Sequence, residues 1–465
     1  MSVRARAVGA TAFVALLAAG SDARAVCAGR PSDAGGFNGY VYPPAVEKTH
    51  DSARVRVHYT TTGTHAPDQT TTRGDGVPDV IAHTADSAEA ALSKYQEMGF
   101  KLPPSDTACT SNGGDDKIDV YIVAFKGADG STIAESCTST QCSSFVLVAS
   151  GFVGTGYPSV KEGFRTVVAH ELFHAVQNTY SPAQEDRTWA EGTAQWGMKQ
   201  PFPELVDFEK QLPAFFKEPS RSIDSPPAGV TVSYVYGSGV WPLFLQLKYG
   251  PTTVREVFEE EAKGTANVYQ AIDTVLKAKG ASLAEAFPLF GAWNASTKSL
   301  AGTGGYPDAA KYPGITIGEL ADGVGEISSG LGYFAYRGTV SNNGISLETD
   351  AARNAGVLVP IIDGKPDLAK ATKLPANGDG EVLVVVGGVT TKKTDAPFKV
   401  RIGDPVQGSS GGTSGTSGNA SSSSGAAPGD DGGCTTTSSS SSSNGSVLLV
   451  VAGLVVARLM RRRGR

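Results

Sequence analysis

The chain has 465 residues and a net charge of −6, and 40% of its residues are hydrophobic. A chain of this length can bury a large core and form more than one domain. The acidic balance argues against nucleic-acid binding, which usually depends on a basic patch.

The N-terminus has the pattern of a secretory signal peptide. Two arginines precede an apolar stretch at 10–19, and an Ala-Arg-Ala sequence ends at Ala25. We therefore expect residues 1–25 to be removed and the mature chain to be exported. Val26, directly before Cys27, is not the small residue that a lipoprotein signal requires.

The cysteines agree with export. Setting aside Cys434 near the C-terminus, the remaining four allow three pairings. Cys137 and Cys142 enclose a short loop, so a local disulfide is expected there, which leaves Cys27 to pair with Cys109.

Residues 26–300 mix strand and helix patterns, which predicts an α+β domain. One strand before the central helix, at 145–150, is expected to be a sheet edge, to which another extended backbone can add. The acidic segment 113–119 allows a calcium (Ca2+) loop, although solvated turn residues are favoured. The predicted strands are 54–60, 118–125 and 145–149, and the predicted helices are 77–98, 159–178, 188–198, 240–248, 252–262, 267–279 and 282–294.

The central predicted helix carries the sequence His170-Glu171-Leu172-Phe173-His174. This HExxH spacing places two imidazoles one turn apart on one helix face, which suits a single zinc ion (Zn2+), with the glutamate able to act on a zinc-bound water. The surrounding residues are apolar, and burying these polar groups is costly unless they are paired or bind metal. The alternative is an ordinary helix that happens to carry two histidines.

A catalytic zinc site needs a third protein ligand. Glu191 is the leading candidate, because a tight turn and an antiparallel helix would return it to the two histidines. Its alternative role is that of a first-turn glutamate favoured by the helix dipole. Glu185 and Asp186 are weaker rivals. A less favoured alternative for Cys27 is that its thiol caps the zinc ion in a latent form.

A hydrogen-bond donor for a developing oxyanion is expected just before the helix at 240–248. Tyr236 is the favoured donor and is taken as a catalytic residue. The alternative is that Tyr234 and Tyr236 are both core or strand residues.

The HExxH motif with a downstream glutamate resembles the gluzincin metallopeptidases. More closely, residues 54–260 resemble a bacterial family of secreted metalloproteases, found mainly in myxobacteria and other environmental bacteria. The resemblance implies His170, His174 and Glu191 as zinc ligands and Glu171 as the catalytic acid/base. It rests also on Val55-Arg56-Val57-His58-Tyr59, Asp75-Gly76-Val77-Pro78-Asp79, Gly99-Phe100, Pro103-Pro104, Gly113-Gly114-Asp115, Asp119-Val120-Tyr121, Tyr236-Gly237 and Tyr249-Gly250.

The chain departs from the gluzincin pattern at one position beside the predicted metal site. Many gluzincins have an aspartate four residues after the glutamate ligand, where it orients a histidine. Here that position is Gln195. The partners of the zinc-binding histidines therefore cannot be carried over from the family.

Residues 306–403 change to short β-like segments, which predicts a small all-β, sandwich-like domain. Asn342-Asn343-Gly344 is a strong hairpin signal between two of the segments. The predicted strands are 333–340, 345–349, 357–362, 382–386 and 398–402.

The C-terminal residues predict attachment to a surface. Residues 404–446 are rich in Ser, Gly and Thr and should form a flexible linker. The apolar segment 447–457 is shorter than the roughly 20 residues of a spanning helix. With Cys434 and the following arginines, it resembles the myxobacterial C-terminal sorting signal, which implies removal of 447–465 and anchoring through Cys434. The alternative is a short membrane anchor that is retained.

Together these patterns predict an exported zinc metallopeptidase, monomeric and acting on peptide or protein substrates. The fold class is α+β, a gluzincin-like domain followed by a small all-β domain. Two other classes stay open: a catalytically silent surface adhesion or binding protein with the same fold, and a zinc hydrolase of a non-peptide substrate. The intact HExxH motif favours the peptidase.

Overall fold

The structure is a computed structural model and describes residues 27–406, except 126–127, 153–155, 182–185, 229–231, 265–266 and 392–394. The predicted signal peptide, the linker from 407 onward, Cys434 and the predicted sorting signal lie outside the described residues. Within the described part of the chain, none of the helices combines the length and hydrophobicity needed to cross a membrane.

The described residues between 47 and 177 form one sheet and two helices. These are β1 (Glu47–Asp51), β2 (Val55–Thr60), α1 (Asp79–Glu97), β3 (Ile118–Val123), β4 (Gly130–Glu135), β5 (Ser143–Ala149) and α2 (Val160–Gln177). The strand order is β1-β2-β3-β5-β4. The three inner strands run parallel, and β1 and β4 are antiparallel to their neighbours.

The two faces of this sheet are covered differently. Val120, Val146 and Val148 pack with the helices α1 and α2. Tyr121 and Phe145 point to the other face, where they pack with the N-terminal segment of residues 28–42. Because successive side chains of a strand point to opposite faces, each inner strand is buried on both sides.

The predicted sheet edge at 145–150 is wrong. β5 lies between β3 and β4, and β4 is the edge strand. All seven residues of β5 are buried, as expected of an inner strand, whereas β4 has several half-exposed residues. The sequence analysis did not identify β4 as a strand.

The second part of the domain is helical. Its helices are α3 (Arg187–Lys199), α4 (Asp207–Phe216), α5 (Val232–Gly237), α6 (Val240–Tyr249), α7 (Thr253–Glu261), α8 (Val268–Ala278) and α9 (Leu283–Ala295). The side chain of Ser159 caps α2, and the side chain of Asp186 caps α3 by accepting a hydrogen bond from the Trp189 N–H. The helices predicted at 159–178 and 188–198 are thus confirmed; α4 and α5 were not predicted.

The predicted all-β C-terminal region is confirmed. Its strands are β6 (Gly318–Glu319), β7 (Gly325–Ser329), β8 (Tyr333–Thr349), β9 (Asn354–Ile362), β10 (Lys365–Pro366), β11 (Thr372–Lys373), β12 (Ala376–Gly388) and β13 (Asp395–Gly403). They form one sheet in the order β10-β9-β12-β8-β13-β7, with β11 paired to β9 and β6 to β8. α9 packs against this sheet, so a single apolar core continues from the helices into it.

The hairpin predicted at Asn342-Asn343-Gly344 is wrong, because β8 continues through these residues. Asn342 has a φ of 51°, and its N–H donates to Asp379 Oδ1 on β12. The register between β8 and β12 shifts at the same place. An Asn in the left-handed region therefore coincides with an irregularity in the strand pairing. The same three residues are also compatible with a turn.

Both predicted disulfides are present. Cys27–Cys109 ties the N-terminal segment to the chain after α1, and Cys137–Cys142 closes the loop between β4 and β5. The sulfur of Cys27 is therefore bonded to Cys109 and does not cap a metal. Two disulfides are compatible with an exported protein.

A buried ionic cluster, here called the Arg30 cluster, joins the N-terminal segment to the sheet. The guanidinium of Arg30 contacts Asp106, lies 2.8 Å from Asp119 and 2.5 Å from Glu135, and lies over the Phe145 ring. Asp119 also accepts a hydrogen bond from the ring of His58 at 2.8 Å. Glu135 is the last residue of β4, so this cluster holds one end of the edge strand.

Candidate metal centre

Three predicted ligands meet where α2 packs against α3. The Nε2 atoms of His170 and His174 are 3.2 Å apart. Glu191 Oε2 lies 3.3 Å from the Nε2 of His170 and 3.5 Å from that of His174. In a tetrahedral zinc site with bonds of about 2.0–2.1 Å, ligand atoms stand about 3.3 Å apart. The three donor atoms therefore have the spacing that a tetrahedral metal ion requires.

These side chains are buried: 7% of His170 and 3% of Glu191 is exposed. Burial alone would lower the pKa of His174, but the hydrogen bond and charge of Glu191 raise it to about 9. Burial would likewise raise the pKa of Glu191, yet the two histidines hold it below its ordinary value. A metal ion that binds here would have to displace the proton that Glu191 stabilises on His174.

The remaining ring nitrogen of each histidine faces a glutamine. The Nδ1 of His170 is 3.2 Å from Gln195 Oε1, and the Nδ1 of His174 is 2.8 Å from Gln177 Oε1. A partner of this kind fixes the ring orientation of a metal-binding histidine. Both Nε2 atoms are therefore turned towards Glu191.

Glu171 lies beside the three ligands, against β4. The hydroxyl of Thr132 is 2.8 Å from Glu171 Oε2 and 2.6 Å from the Glu171 carbonyl oxygen. A Cβ atom at Gly130 would come within 2.8 Å of the Glu171 Cγ, so only glycine allows the strand to approach this closely. Burial raises the pKa of the Glu171 carboxyl, although His174 and His170 oppose this effect. A carboxyl with a raised pKa is suited to accept and return a proton.

Tyr236 lies in α5 on another side of the centre. Its ring centroid is 5.3 Å from that of His170. Burial and the charges of Glu191 and Glu171 raise the pKa of its hydroxyl well above its ordinary value. The hydroxyl therefore stays protonated and can donate a hydrogen bond. Tyr234, its neighbour on the helix, is buried in the core against Phe215.

The weaker ligand candidates do not join this centre. Asp186 caps α3, and Glu185 lies outside the described residues. Within the described ranges, His170, His174 and Glu191 are the only group that meets the spacing expected of metal ligands. In the segment considered for calcium, Asp115 pairs with Arg56 and Asp119 belongs to the Arg30 cluster.

Several residues near the centre were missed by the sequence analysis. Besides Thr132, they include Tyr157, whose hydroxyl donates to Asp129 Oδ2 at 3.1 Å, and Asp207 at the start of α4. Burial and the charges of Asp207, Asp129 and Glu171 raise the pKa of Tyr157 well above its ordinary value. No motif marks these residues, since they come from segments distant in the chain.

No protein-family model matches the chain, and no curated protein is significantly similar to it in sequence. The functional interpretation therefore depends on the motifs and on the geometry of the centre.

Proposed function

We propose that the protein is an exported, zinc-dependent peptidase with His170, His174 and Glu191 as the zinc ligands. The observation that carries this proposal is the spacing of 3.2–3.5 Å among the three donor atoms. Two imidazoles and one carboxylate form a donor set that suits zinc, whereas calcium and magnesium prefer oxygen ligands alone.

Each neighbouring side chain has a role in this reaction. A zinc ion held by His170, His174 and Glu191 would act as a Lewis acid that polarises a substrate carbonyl and makes water more acidic. Glu171 accepts the proton of the attacking water and passes it to the leaving amine. Thr132 holds the Glu171 carboxyl in position, and the Tyr236 hydroxyl donates to the oxyanion that develops on the substrate.

The edge strand supports a peptide as the substrate. One side of β4 pairs with β5, and its other side has no partner strand among the strands described. An extended peptide can add to such an edge through main-chain hydrogen bonds. Because Gly130 and Thr132 contact Glu171, a peptide paired with β4 would pass beside the catalytic carboxyl.

The test uses the purified mature chain with an unfolded protein such as casein as the substrate. We expect hydrolysis that a chelator abolishes and added zinc restores. Glu171→Gln should retain zinc and lose activity by about 10²–10⁴-fold, because the proton acceptor is removed while the ligands remain.

The controls distinguish the competing functions. Metal analysis and the thermal unfolding of Glu171→Gln show whether the centre and the fold are intact. Hydrolysis that is indifferent to chelator, or a Glu171→Gln variant as active as the wild type, contradicts the proposal. Stoichiometric zinc without hydrolysis of any peptide would instead favour a silent binding protein or a non-peptide hydrolase.

A further inference from the structure

The two candidate zinc-binding histidines are each held by a buried glutamine instead of a carboxylate. We propose that Asp207 and Gln195 form a relay that determines which nitrogen of His170 faces the metal, and that Gln177 does the same for His174. This inference rests on the proposed metal centre and assigns positioning residues to it.

The argument for His170 starts at Asp207. The Nε2 of Gln195 donates to Asp207 Oδ2 at 2.7 Å. A carboxylate can only accept, so the amide of Gln195 must turn its NH2 group towards Asp207. Its Oε1 then faces the Nδ1 of His170, at 3.2 Å. An amide oxygen also only accepts, so Nδ1 carries the hydrogen and the Nε2 lone pair is free for the metal.

The same logic applies to His174 with different terminal groups. The Nε2 of Gln177 donates to the Ala190 carbonyl oxygen and to Thr193 Oγ1, both at 2.8 Å. Because the carbonyl only accepts, Gln177 presents Oε1 to the Nδ1 of His174, at 2.8 Å. This second chain ends on neutral groups, whereas the relay to His170 ends on the charge of Asp207.

The relay is built from three consecutive helices. His170 lies on α2, Gln195 lies one turn after Glu191 on α3, and Asp207 is the first residue of α4. Gln195 is 2% exposed, so water does not offer its amide another partner. If the amide of Gln195 were flipped, its Oε1 would face the carboxylate of Asp207, and two acceptor oxygens would be in contact. The flip is therefore unfavourable. The tautomer of His170 with its hydrogen on Nε2, which would need the flipped amide as a donor to Nδ1, is unfavourable for the same reason.

Three variants test the relay by exchanging its polar groups. Gln195→Glu brings two carboxylates into contact and should weaken zinc binding by about 10–100-fold. Asp207→Asn should weaken it by about 10-fold, because an amide at 207 can present either its oxygen or its NH2 and no longer fixes Gln195.

The double variant Gln195→Glu/Asp207→Asn is the decisive one. In this variant the carboxylate at position 195 accepts from the Nδ1 of His170, and the amide at position 207 donates its NH2 to that carboxylate. The net charge of the variant equals that of the wild type. We expect zinc affinity close to the wild-type value. Residues that only stabilised the fold would not show such rescue, because each substitution would add its own loss.

The measurement is the zinc dissociation constant of the metal-free protein, determined by competition with a chelating dye at fixed pH. The absorption spectrum of the cobalt-substituted protein reports the ligand arrangement independently of activity. Glu209→Gln is the matched control: it removes a charge from the first turn of the same helix, but Glu209 pairs with Lys199 and lies outside the relay. Its zinc affinity should not change.

The outcomes separate this inference from the proposed function. Wild-type affinity in Asp207→Asn, a half-exposed position where folding is not at risk, overturns the relay. A double variant no better than the worse single variant also overturns it. If zinc binds and the double variant shows the expected rescue, but no peptide is hydrolysed, the proposed peptidase function is wrong and the relay is supported. If the wild-type protein binds no zinc, both the proposed function and the relay are wrong.

Discussion

Two buried polar clusters touch the same edge strand from opposite faces of the sheet. Thr132 of β4 contacts Glu171 at the metal centre, and Glu135 of the same strand contacts Arg30. The Arg30 cluster contains its own cation. At the metal centre, by contrast, no lysine or arginine among the described residues pairs with Glu171 or Glu191.

This difference shows how a structural cluster can be told from a functional one. Buried charges are costly and must be compensated. In the Arg30 cluster a side chain of the protein lies among the carboxyls and partly compensates them, so the cluster does not depend on a bound ligand. At the candidate metal centre three donor atoms face one point and no Lys or Arg side chain of the described residues faces them, so a bound metal ion could supply positive charge there.

The largest expected effect is at the metal centre. His170→Ala should abolish stoichiometric zinc and all zinc-dependent hydrolysis, because only His174 and Glu191 remain as ligands. The metal-free variant should still fold, since the core around the centre is intact. Metal analysis and denaturant unfolding in the presence of chelator check both statements; full zinc occupancy in the variant would contradict the first.

At the Arg30 cluster we expect a substitution to reduce the stability of the fold, whereas His170→Ala is expected to leave the fold intact. Arg30→Met removes the guanidinium that contacts the buried carboxyls of Asp106, Asp119 and Glu135, which should lower the free energy of unfolding by about 3–5 kcal/mol. Arg337→Met is the control, because its ion pair with Glu381 is at the surface and contributes about 0–1 kcal/mol. Chemical denaturation measures both, and equal losses would remove the distinction between the clusters.

A smaller effect is expected from Tyr236→Phe. Loss of the donor to the oxyanion should lower kcat by about 10²-fold and change KM little. Tyr234→Phe is the matched control, since the Tyr234 hydroxyl is buried without a hydrogen-bond partner in the described part of the chain. The kcat and KM of the two variants are compared by steady-state kinetics. Similar kcat values for Tyr236→Phe and Tyr234→Phe would exclude the role assigned to Tyr236.

The smallest effect concerns pH. Burial raises the pKa of Glu135 to about 7 and that of Asp106 to about 6, although Arg30 opposes both shifts. The folded state therefore binds protons that the unfolded chain has released, and these two groups make stability fall as the pH rises from about 4 to 7. Glu135→Gln should reduce that fall by an amount on the order of 1 kcal/mol, as measured by urea unfolding at several pH values. An unchanged pH dependence would contradict the raised pKa.

The helices that carry the ligands could be predicted from the sequence. The HExxH motif fixes two imidazoles on one face of α2, and a polar turn followed by a helical pattern is enough to bring Glu191 near them. These relations are local, since a helix period and one tight turn determine them. The same applies to both disulfides, where the short Cys137–Cys142 loop left a single pairing for the other two cysteines.

The parts that could not be predicted depend on long-range contacts. Arg30 meets Glu135 across 105 positions of sequence, and nothing near Arg30 marks it as buried. β4 has few strongly apolar residues, so its pattern resembles a loop. Gln195 meets Asp207 only because of the path taken by the chain between α3 and α4. The sequence Asn342-Asn343-Gly344 is compatible both with a hairpin turn and with an irregularity inside a strand. It lies inside a strand here because β8 pairs with β12 on both sides of it.

The Cys27–Cys109 disulfide has a consequence for the lifetime of the molecule. It closes a ring of chain that includes β1, β2, α1 and the largely exposed loop at 61–78. Exposed loops are preferred sites of proteolytic cutting, whether the protease is another protein or, under the proposed function, a second copy of this chain. One cut within this loop opens the ring, but the Cys27–Cys109 disulfide still joins the two fragments covalently. Arg30 then stays docked on the sheet, and a nicked molecule remains in one piece.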